Sequence, residues 1–166
     1  MREDKASIQI RMAAPADAQS IAAVLRESFA EYKASYTDEA LAPPTPANEQ
    51  IKRRMNERPI WVAVREATIV GTVSVAPRGD ALYIRGMAVL PSARGLRIGE
   101  SLLKQVENFA SAHGYTRLFL SATPFLARAI RLYERMGFRR SDEGPHDLCG
   151  TPLFTMDFTM EKETGL

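Results

Sequence analysis

Two arginines and two glycines stand close together in the segment Arg94-Gly-Leu-Arg-Ile-Gly99. A guanidinium group is a fixed positive charge that presents a fork of hydrogen-bond donors to a phosphate. Glycine has no side chain, so an anion can approach the backbone closely at Gly95 and Gly99. These residue types at this spacing indicate a binding site for an anionic group.

The flanking sequence places this segment at the start of a helix. Residues 81–90 are largely apolar, as in a buried strand, and Pro91 ends that strand because it cannot donate a ladder hydrogen bond. Apolar residues then recur at helical spacing from Ile98 to Ala110. The first turn of a helix carries backbone N–H groups without internal partners, at the positive end of the helix dipole. The strand, the turn and the helix are therefore predicted to bind an anion together.

A second segment, Ala129-Ile-Arg-Leu-Tyr-Glu-Arg-Met-Gly-Phe138, carries a tyrosine with catalytic potential. The ordinary pKa of a tyrosine is about 10, so the Tyr133 hydroxyl is protonated at neutral pH and can donate a proton or a hydrogen bond to a leaving group. Tyr133 also lies on the apolar stripe of its predicted helix. A buried core tyrosine is therefore the structural alternative.

Together the two segments resemble the motifs of the GCN5-related N-acetyltransferases (GNAT). Residues 94–99 are similar to that family's coenzyme A signature, Arg/Gln-x-x-Gly-x-Gly/Ala, except that Arg97 stands where glycine is usual. Residues 129–138 resemble the later motif Asn-x-x-Ala-x-x-Leu-Tyr-x-x-x-Gly-Phe, with Leu126 in place of the asparagine. The motifs follow the family's order, and the resemblance covers about residues 81–138.

The resemblance implies a single GNAT-like domain over residues 1–166 with an α/β fold, in which a mixed, centrally splayed β-sheet is flanked by helices on both faces. The strands ending near Leu90 and Ser121 would splay, with a bulge at Gly86. Tyr133 would be catalytic. The residues implied to bind acetyl-CoA are Met87, Ala88, Val89, Arg94, Gly95, Leu96, Arg97, Ile98, Gly99 and Glu100.

The general base is left unassigned by the sequence. Many members of the resembled family place a glutamate near the start of the strand before the signature, but residues 82–85 contain no carboxylate. The candidates elsewhere are His146, Asp147, Glu31 and Asp38, or a water molecule that relays the proton.

Composition bounds the class of protein. The length of 166 residues and the apolar fraction of 45% favour one folded domain. A formal charge of +2, with dispersed arginines, gives no argument for nucleic acid. Two histidines and the lone Cys149 show no metal-ligand spacing and allow no internal disulfide. With no apolar run of membrane-spanning length and no hydrophobic signal core, we expect a cytoplasmic protein without a membrane partner. A homodimer is possible.

Periodicity and turn residues predict the remaining elements. The first half of the chain is predicted to form a strand over 8–12, a helix from Pro15 that fades near Lys33, and an irregular segment over 34–47. A short helix follows, with Thr45 as cap and Pro46 at its first position, and then a hairpin of 60–65 with 68–75.

After the helix that begins near Ile98, we predict a strand over 115–121 that is parallel to the strand before the signature. A helix capped by Thr123 and ended by Gly137 comes next, and strands over 138–142 and 153–160, joined by a loop, complete the chain.

The function implied by the resemblance is transfer of the acetyl group of acetyl-CoA to a primary amine, by direct attack in a ternary complex. The alternative is a non-catalytic acyl-CoA-binding sensor or regulatory module. The departures at Arg97 and Leu126 and the unassigned base favour this alternative, whereas Tyr133 favours an enzyme. The acceptor stays open between a polyamine, an antibiotic, an amino acid, a peptide N-terminus and a protein lysine, and the donor between acetyl and longer acyl groups.

Overall fold

The computed structural model describes residues 7–36, 40, 45–142, 146–148 and 150–160. The α-helices with bounds in these residues are α1 (Ala18–Ala30), α2 (Asn48–Glu57), α3 (Ile98–Ala112) and α4 (Ala127–Arg135). The strands are β1 (Ile8–Met12), β2 (Ile60–Arg65), β3 (Thr68–Arg78), β4 (Ala81–Val89), β5 (Arg117–Ala122), β6 (Arg139–Arg140), β7 (His146–Leu148) and β8 (Thr151–Thr159). Short 3-10 turns occupy Pro15–Asp17 and Pro91–Ala93. None of the helices in the described ranges is long and apolar enough to span a bilayer.

The strands form a mixed sheet in the order β1-β2-β3-β4-β5-β8-β6, and β7 pairs with β8. The pairing of β4 with β5 is parallel, whereas the other recorded pairings are antiparallel. Parallel neighbours need a crossover connection, which α3 supplies. The predicted hairpin of β2 with β3 and the predicted parallel pair are confirmed.

Helices cover both faces of the sheet because neighbouring residues of its central strands point to opposite sides. In β2, Ile60 and Val62 pack with Ile21 of α1 and Ile51 of α2. Trp61 and its neighbours of the same orientation belong instead to a cluster that contains the apolar stripe of α3. The predicted α/β architecture with helices on both faces is confirmed.

The sheet is splayed at β4 and β5. These strands pair only at Ala81 with Arg117, Leu82 with Leu118 and Tyr83 with Phe119. Residues 84–89 of β4 continue without β5 as a neighbour, and the pairing of β4 with β3 shifts register next to Gly86, whose φ is +61°. A glycine tolerates this left-handed conformation. The predicted splay and the predicted bulge at Gly86 are confirmed.

The predicted start of the short second helix is wrong. Helix α2 begins at Asn48, with Ala47 as its N-cap, rather than at Pro46. The Ala47 N–H donates a hydrogen bond to Gln50 Oε1 over 3.0 Å. A glutamine three residues after the cap can therefore set the start of a helix without a capping hydroxyl at Thr45.

The predicted start of the helix that carries Tyr133 is also wrong. Helix α4 begins at Ala127, whereas Thr123 and Pro124 belong to a turn. The Leu126 N–H donates to the Thr123 carbonyl over 3.1 Å, so Thr123 closes this turn instead of capping a helix. The predicted end of the helix at Gly137, where φ is +101°, is confirmed.

The chain after α4 pairs less regularly than predicted. Strand β6 covers only Arg139–Arg140, and the predicted loop over 143–152 contains β7, which forms an antiparallel pair with β8. His146 and Asp147 therefore lie on a strand. Cys149 and residues 143–145 lie outside the described residues.

Asp17 ties β1 to the start of α1. Arg11 Nη1 and Nη2 donate to its two carboxylate oxygens over 2.8 and 3.2 Å, and the Ala14 N–H donates over 2.7 Å. The hydrogen bonds from Arg11 lower the pKa of Asp17 despite its partial burial. We expect Asp17→Ala to reduce the free energy of unfolding by about 1–2 kcal/mol at neutral pH, as for loss of a capping carboxylate. Urea unfolding measures this reduction.

The depressed pKa of Asp17 fixes the pH dependence of this effect. Its contribution is present above the ordinary carboxyl pKa and is lost as the pH falls through the lower pKa of the folded state. The stabilities of wild type and Asp17→Ala should therefore converge in acid. Glu27→Ala, at an exposed position of the same helix, is the matched control. A difference that stays constant in acid would contradict this account.

Candidate functional site

A cleft of about 860 Å³ opens where β4 and β5 diverge. Its walls come from the separated ends of these strands, the turn before α3, the C-terminal end of α1 and one side of α4. This volume is in the range of about 300–1,000 Å³ that small-molecule sites occupy. The splay therefore creates a cavity large enough for a cofactor or substrate.

The turn at one end of the cleft presents free backbone donors. Gly95 has a φ of +89°, and Arg97 has left-handed backbone angles, φ 59° and ψ 27°, directly before α3. Within the described part of the chain, no group accepts a hydrogen bond from the amides of residues 95–100. These amides stand at the positive end of α3. This arrangement suits a phosphate.

Gly99 has a second role, in helix packing. A Cβ atom at this position would lie 2.7 Å from Leu132 Cδ2. The missing side chain leaves room for Leu132 of α4 against the first turn of α3, beside the turn that precedes α3.

The cleft wall is strongly cationic. Arginines from the turn and α4 line one part of it, and Arg54 and Arg85 line another, whereas Glu100 is the acidic residue found among the described lining residues. Glu31 at the rim accepts a hydrogen bond from Arg94 over 2.6 Å and lies 3.9 Å from Arg128. The excess of positive charge favours a ligand with several negative charges.

Tyr133 lies in the wall beside the turn. Its side chain is buried, and its ring packs against Phe138 at a centroid distance of 5.9 Å. Burial raises the pKa of Tyr133 to about 12, with a smaller effect of Tyr36 in the same direction. The hydroxyl therefore remains protonated over the whole physiological range and can act as a hydrogen-bond donor.

Aromatic side chains from α1 and the segment that follows it form a further wall of the cleft, namely Phe29, Tyr32 and Tyr36. Tyr36 packs edge-on against Phe29 at 6.1 Å and against Phe125 at 4.9 Å. Burial raises the pKa of Tyr36, and a smaller effect of the neighbouring Thr123 hydroxyl opposes that rise. The Thr123 hydroxyl is itself buried, and no described group is placed to form a hydrogen bond with it. This part of the cleft combines apolar rings with an unpaired hydroxyl.

The structure places most of the predicted site residues together. Tyr133 lines the cleft, as do the predicted acetyl-CoA residues Met87, Ala88, Val89, Arg94, Gly95, Arg97, Ile98, Gly99 and Glu100. Leu96 does not line it and is 43% exposed. The cleft therefore joins the two sequence motifs in one cavity.

The candidate bases are not placed beside Tyr133. Glu31 lies at the rim and is paired with arginines. His146 and Asp147 are exposed on β7 outside the cleft lining, and Asp147 Oδ2 accepts a hydrogen bond from the Gly150 N–H over 2.9 Å. Asp38 lies outside the described residues. Among the described candidates, none offers an unpaired basic group in the cleft.

Several lining residues had not been singled out from the sequence. Ser28 Oγ donates to the Val89 carbonyl over 3.2 Å and so fixes the end of β4. Arg54 follows the buried Ile51 by three residues, a spacing that places both on one side of α2. That spacing could have predicted partial burial of Arg54, but the surface that α2 faces is set by tertiary packing.

The chain belongs to the acetyltransferase (GNAT) family, whose family model matches residues 21–138. It is 30% identical to the uncharacterized N-acetyltransferase YjgM of Escherichia coli over 76% of this chain and 78% of that protein. It is 38% identical to IAA acetyltransferase of Azospirillum brasilense over 51% of this chain, and it spans 55% of that protein. Both relatives are named as acetyltransferases, and YjgM is named as an N-acetyltransferase, the class predicted from the sequence.

A solved structure shows the same fold. The PaiA N-acetyltransferase of Thermoplasma acidophilum, crystallised with coenzyme A, superposes with a TM-score of 0.80 at 19% identity, over 92% of this chain and 99% of that one. The predicted family and the predicted fold class are confirmed.

Because Arg97 has a left-handed backbone conformation, its replacement by glycine and its replacement by alanine should affect the free energy of unfolding differently. A side chain in this conformation costs about 1–2 kcal/mol, which glycine avoids. Arg97→Gly and Arg97→Ala remove the same exposed guanidinium, but only the glycine removes the strain. In urea unfolding without ligand, we expect Arg97→Gly to be more stable than Arg97→Ala by about 1 kcal/mol. Equal stabilities would contradict the left-handed turn.

Proposed function

We propose that the protein transfers the acetyl group of acetyl-CoA to a primary amine by direct attack in a ternary complex. The observation that carries this proposal is the cleft between the diverging ends of β4 and β5, which brings free backbone amides and Tyr133 into one cavity. Family membership supports the same chemistry.

Acetyl-CoA is here a substrate that is consumed in each turnover, and the residues present fit its groups. The amides of residues 95–100 carry no intramolecular hydrogen bond, and Arg94 and Arg97 flank them. These groups would bind the diphosphate. The backbone of Met87, Ala88 and Val89 borders the gap left by β5 and would hold the pantetheine amides and the thioester. The Val89 carbonyl already accepts a hydrogen bond from Ser28 Oγ, which ties this end of β4 to α1.

The chemical step needs no covalent enzyme intermediate. The lone pair of the neutral amine attacks the thioester carbonyl carbon, a C–N bond forms, and the C–S bond breaks with its electron pair leaving on sulfur. Backbone N–H groups oriented toward the carbonyl oxygen would stabilise the charge that develops there. The surplus proton of the amine passes to water, since the described residues place no unpaired base in the cleft. The protein contributes mainly positioning.

Tyr133 would stabilise the leaving sulfur. A thiol has an ordinary pKa of about 8.5, well below the pKa of about 12 that burial gives Tyr133. The phenol therefore keeps its proton and donates a hydrogen bond to the thiolate, which takes its final proton from water. This assignment favours hydrogen-bond donation over complete proton transfer.

The test is an acetyl-CoA assay with a panel of primary amines. Release of free thiol that depends on the amine, with an equal amount of N-acetylated amine detected by mass spectrometry, would support acetyl transfer. Binding of acetyl-CoA without thiol release across the panel would contradict it and favour the non-catalytic acyl-CoA-binding module.

A further inference from the structure

A second cationic cluster lines the cleft away from the turn that precedes α3. It consists of Arg54 on α2 and Arg85 on β4. Arg54 Nη1 lies 3.7 Å from the position that a Cβ atom on Gly86 would take, and Arg54 is close enough to Arg85 for the two charges to interact. Arg85 is largely buried, with 24% of its side chain exposed. We call Arg54 and Arg85 the arginine pair.

The arginine pair lies beyond the proposed thioester position. Strand β4 runs from Arg85 through Gly86 to Met87 and Val89, and the turn that precedes α3 follows later in the chain. Four residues of extended strand span at most about 13 Å, and the bulge at Gly86 makes the separation of Arg85 from Val89 shorter than this. Phosphates held by the turn would therefore leave the arginine pair free. The pair borders the side of the cleft from which an acceptor amine would reach the thioester.

The charges of the arginine pair are balanced only in part by the described residues, through one long ion pair of Arg85 with Glu57. Glu57 Oε1 lies 3.8 Å from Arg85 Nη2, too far for a hydrogen bond, and its side chain is 67% exposed. No carboxylate of the described residues forms an ion pair with Arg54. Burial lowers the pKa of Arg54, the positive charge of Arg85 lowers it further, and Glu57 offsets this only in part.

The arginine pair also has an unused donor. Arg85 Nε is buried and has no hydrogen-bond partner among the described groups. An unpaired buried donor on a charged group is costly, and an anion would supply the missing acceptor. A carboxylate has the planar geometry to accept hydrogen bonds from a guanidinium fork. A polyamine would instead bring further positive charge to this wall.

We propose that Arg54 and Arg85 bind a carboxylate of the acceptor, so that the substrate amine is an amino acid with a free carboxylate close to its amino group. This inference rests on the proposed acetyl transfer and names the class of its acceptor. It excludes polyamines and other amines without an acidic group as preferred acceptors.

The test compares amino acids with their α-carboxamides. Alanine, aspartate and phenylalanine are each assayed against the matching α-amide, with spermidine as a cationic amine, and kcat/KM is taken from acetyl-CoA-dependent thiol release. The amine of the carboxamide is less basic, so more of it is neutral at a given pH and solution chemistry favours the amide. We expect at least one acid to exceed its amide by about 10-fold or more, as for loss of a charged hydrogen bond.

Substitution of the arginine pair tests whether these two residues cause the preference for the acid over its amide. The double variant Arg54→Ala, Arg85→Ala should abolish the acid preference, mainly through KM for the acid. Arg53→Ala, at an exposed position of α2 outside the cleft lining, is the matched control and should retain it. Equal kcat/KM values for acid and amide, or a preference that survives in the double variant, would overturn the proposal.

A binding measurement separates this inference from the proposed function. The same compounds are titrated calorimetrically into the protein saturated with coenzyme A. Binding of an acid but not of its amide, lost in the double variant, would support the carboxylate site even if no acetylation occurred, and the failure would then belong to the transfer reaction. If no acid binds and no acid is acetylated, the carboxylate site is wrong, whether or not another amine is acetylated.

Discussion

Tyr133→Phe is expected to lower kcat for acetyl transfer by about 100-fold and to leave the affinity for acetyl-CoA within about twofold. The substitution removes only the hydroxyl and keeps the ring that packs against Phe138. The hydrogen bond to sulfur becomes strong only as negative charge develops, so its loss raises the barrier without weakening the ground-state complex. Steady-state kinetics and a calorimetric titration with acetyl-CoA measure the two quantities. Tyr115→Phe, which removes a hydroxyl outside the cleft lining, is the control.

The pH profile tests the state of the Tyr133 hydroxyl. Because its pKa is raised to about 12, Tyr133 should stay protonated while kcat/KM rises with the deprotonation of the amine. We therefore expect a plateau and no alkaline decline up to about pH 10. A decline with an apparent pKa near 10 that is present in wild type and absent in Tyr133→Phe would contradict the proposed protonation state. Unchanged kcat in Tyr133→Phe would remove the catalytic role.

The double variant Arg94→Ala, Arg97→Ala is expected to raise the Kd for acetyl-CoA by about 100-fold. Each charge-assisted hydrogen bond to a phosphate contributes about 1.5–3 kcal/mol, and partial exposure at the turn favours the lower value. Two such losses amount to about 3 kcal/mol, or about 100-fold. Arg94 is held in place by Glu31 over 2.6 Å, so little of its freedom is lost on binding. Calorimetric titration measures the change.

The control for this double variant carries the same change in charge. Arg53→Ala, Arg139→Ala removes two exposed guanidinium groups that do not line the cleft. If both double variants weaken acetyl-CoA binding equally, the effect comes from general electrostatic attraction, and a specific role of the turn is wrong. A difference that persists at raised ionic strength would support direct contacts, because distant charges are then screened.

The parts of the fold that were predictable depend on local patterns. The β-branched runs of β2 and β3, the proline after β4 and the periodic apolar stripe of α3 each specify an element from its own residues. Gly86 signalled the bulge because glycine is unusual within a strand. The beginning of α4 was not predictable in this way, because Thr123 and Pro124 are equally suited to a helix cap and to a turn. Strand β7 depends on its partner β8, so its own short sequence gives little indication of it.

The residues proposed to bind acetyl-CoA were more predictable from the sequence than the residues proposed to bind the amine substrate. The anion-binding turn is contiguous in sequence, and the Tyr133 motif follows it in an order that carried the resemblance. The arginine pair brings together α2 and β4, which are distant in the chain and carry no shared motif. Ser28 and Thr123 likewise reach the cleft only through packing. The proposed acceptor class therefore depends on the tertiary structure.

The central claim is that acetyl-CoA binds between the diverging ends of β4 and β5, and an amide-resolved NMR titration with acetyl-CoA tests it most directly. We predict saturable shifts of the amides of residues 87–89 and 95–100 with a micromolar Kd, equivalent to about 8 kcal/mol. Shifts confined to another surface, or no shifts when acetyl-CoA is in large excess, would contradict the account.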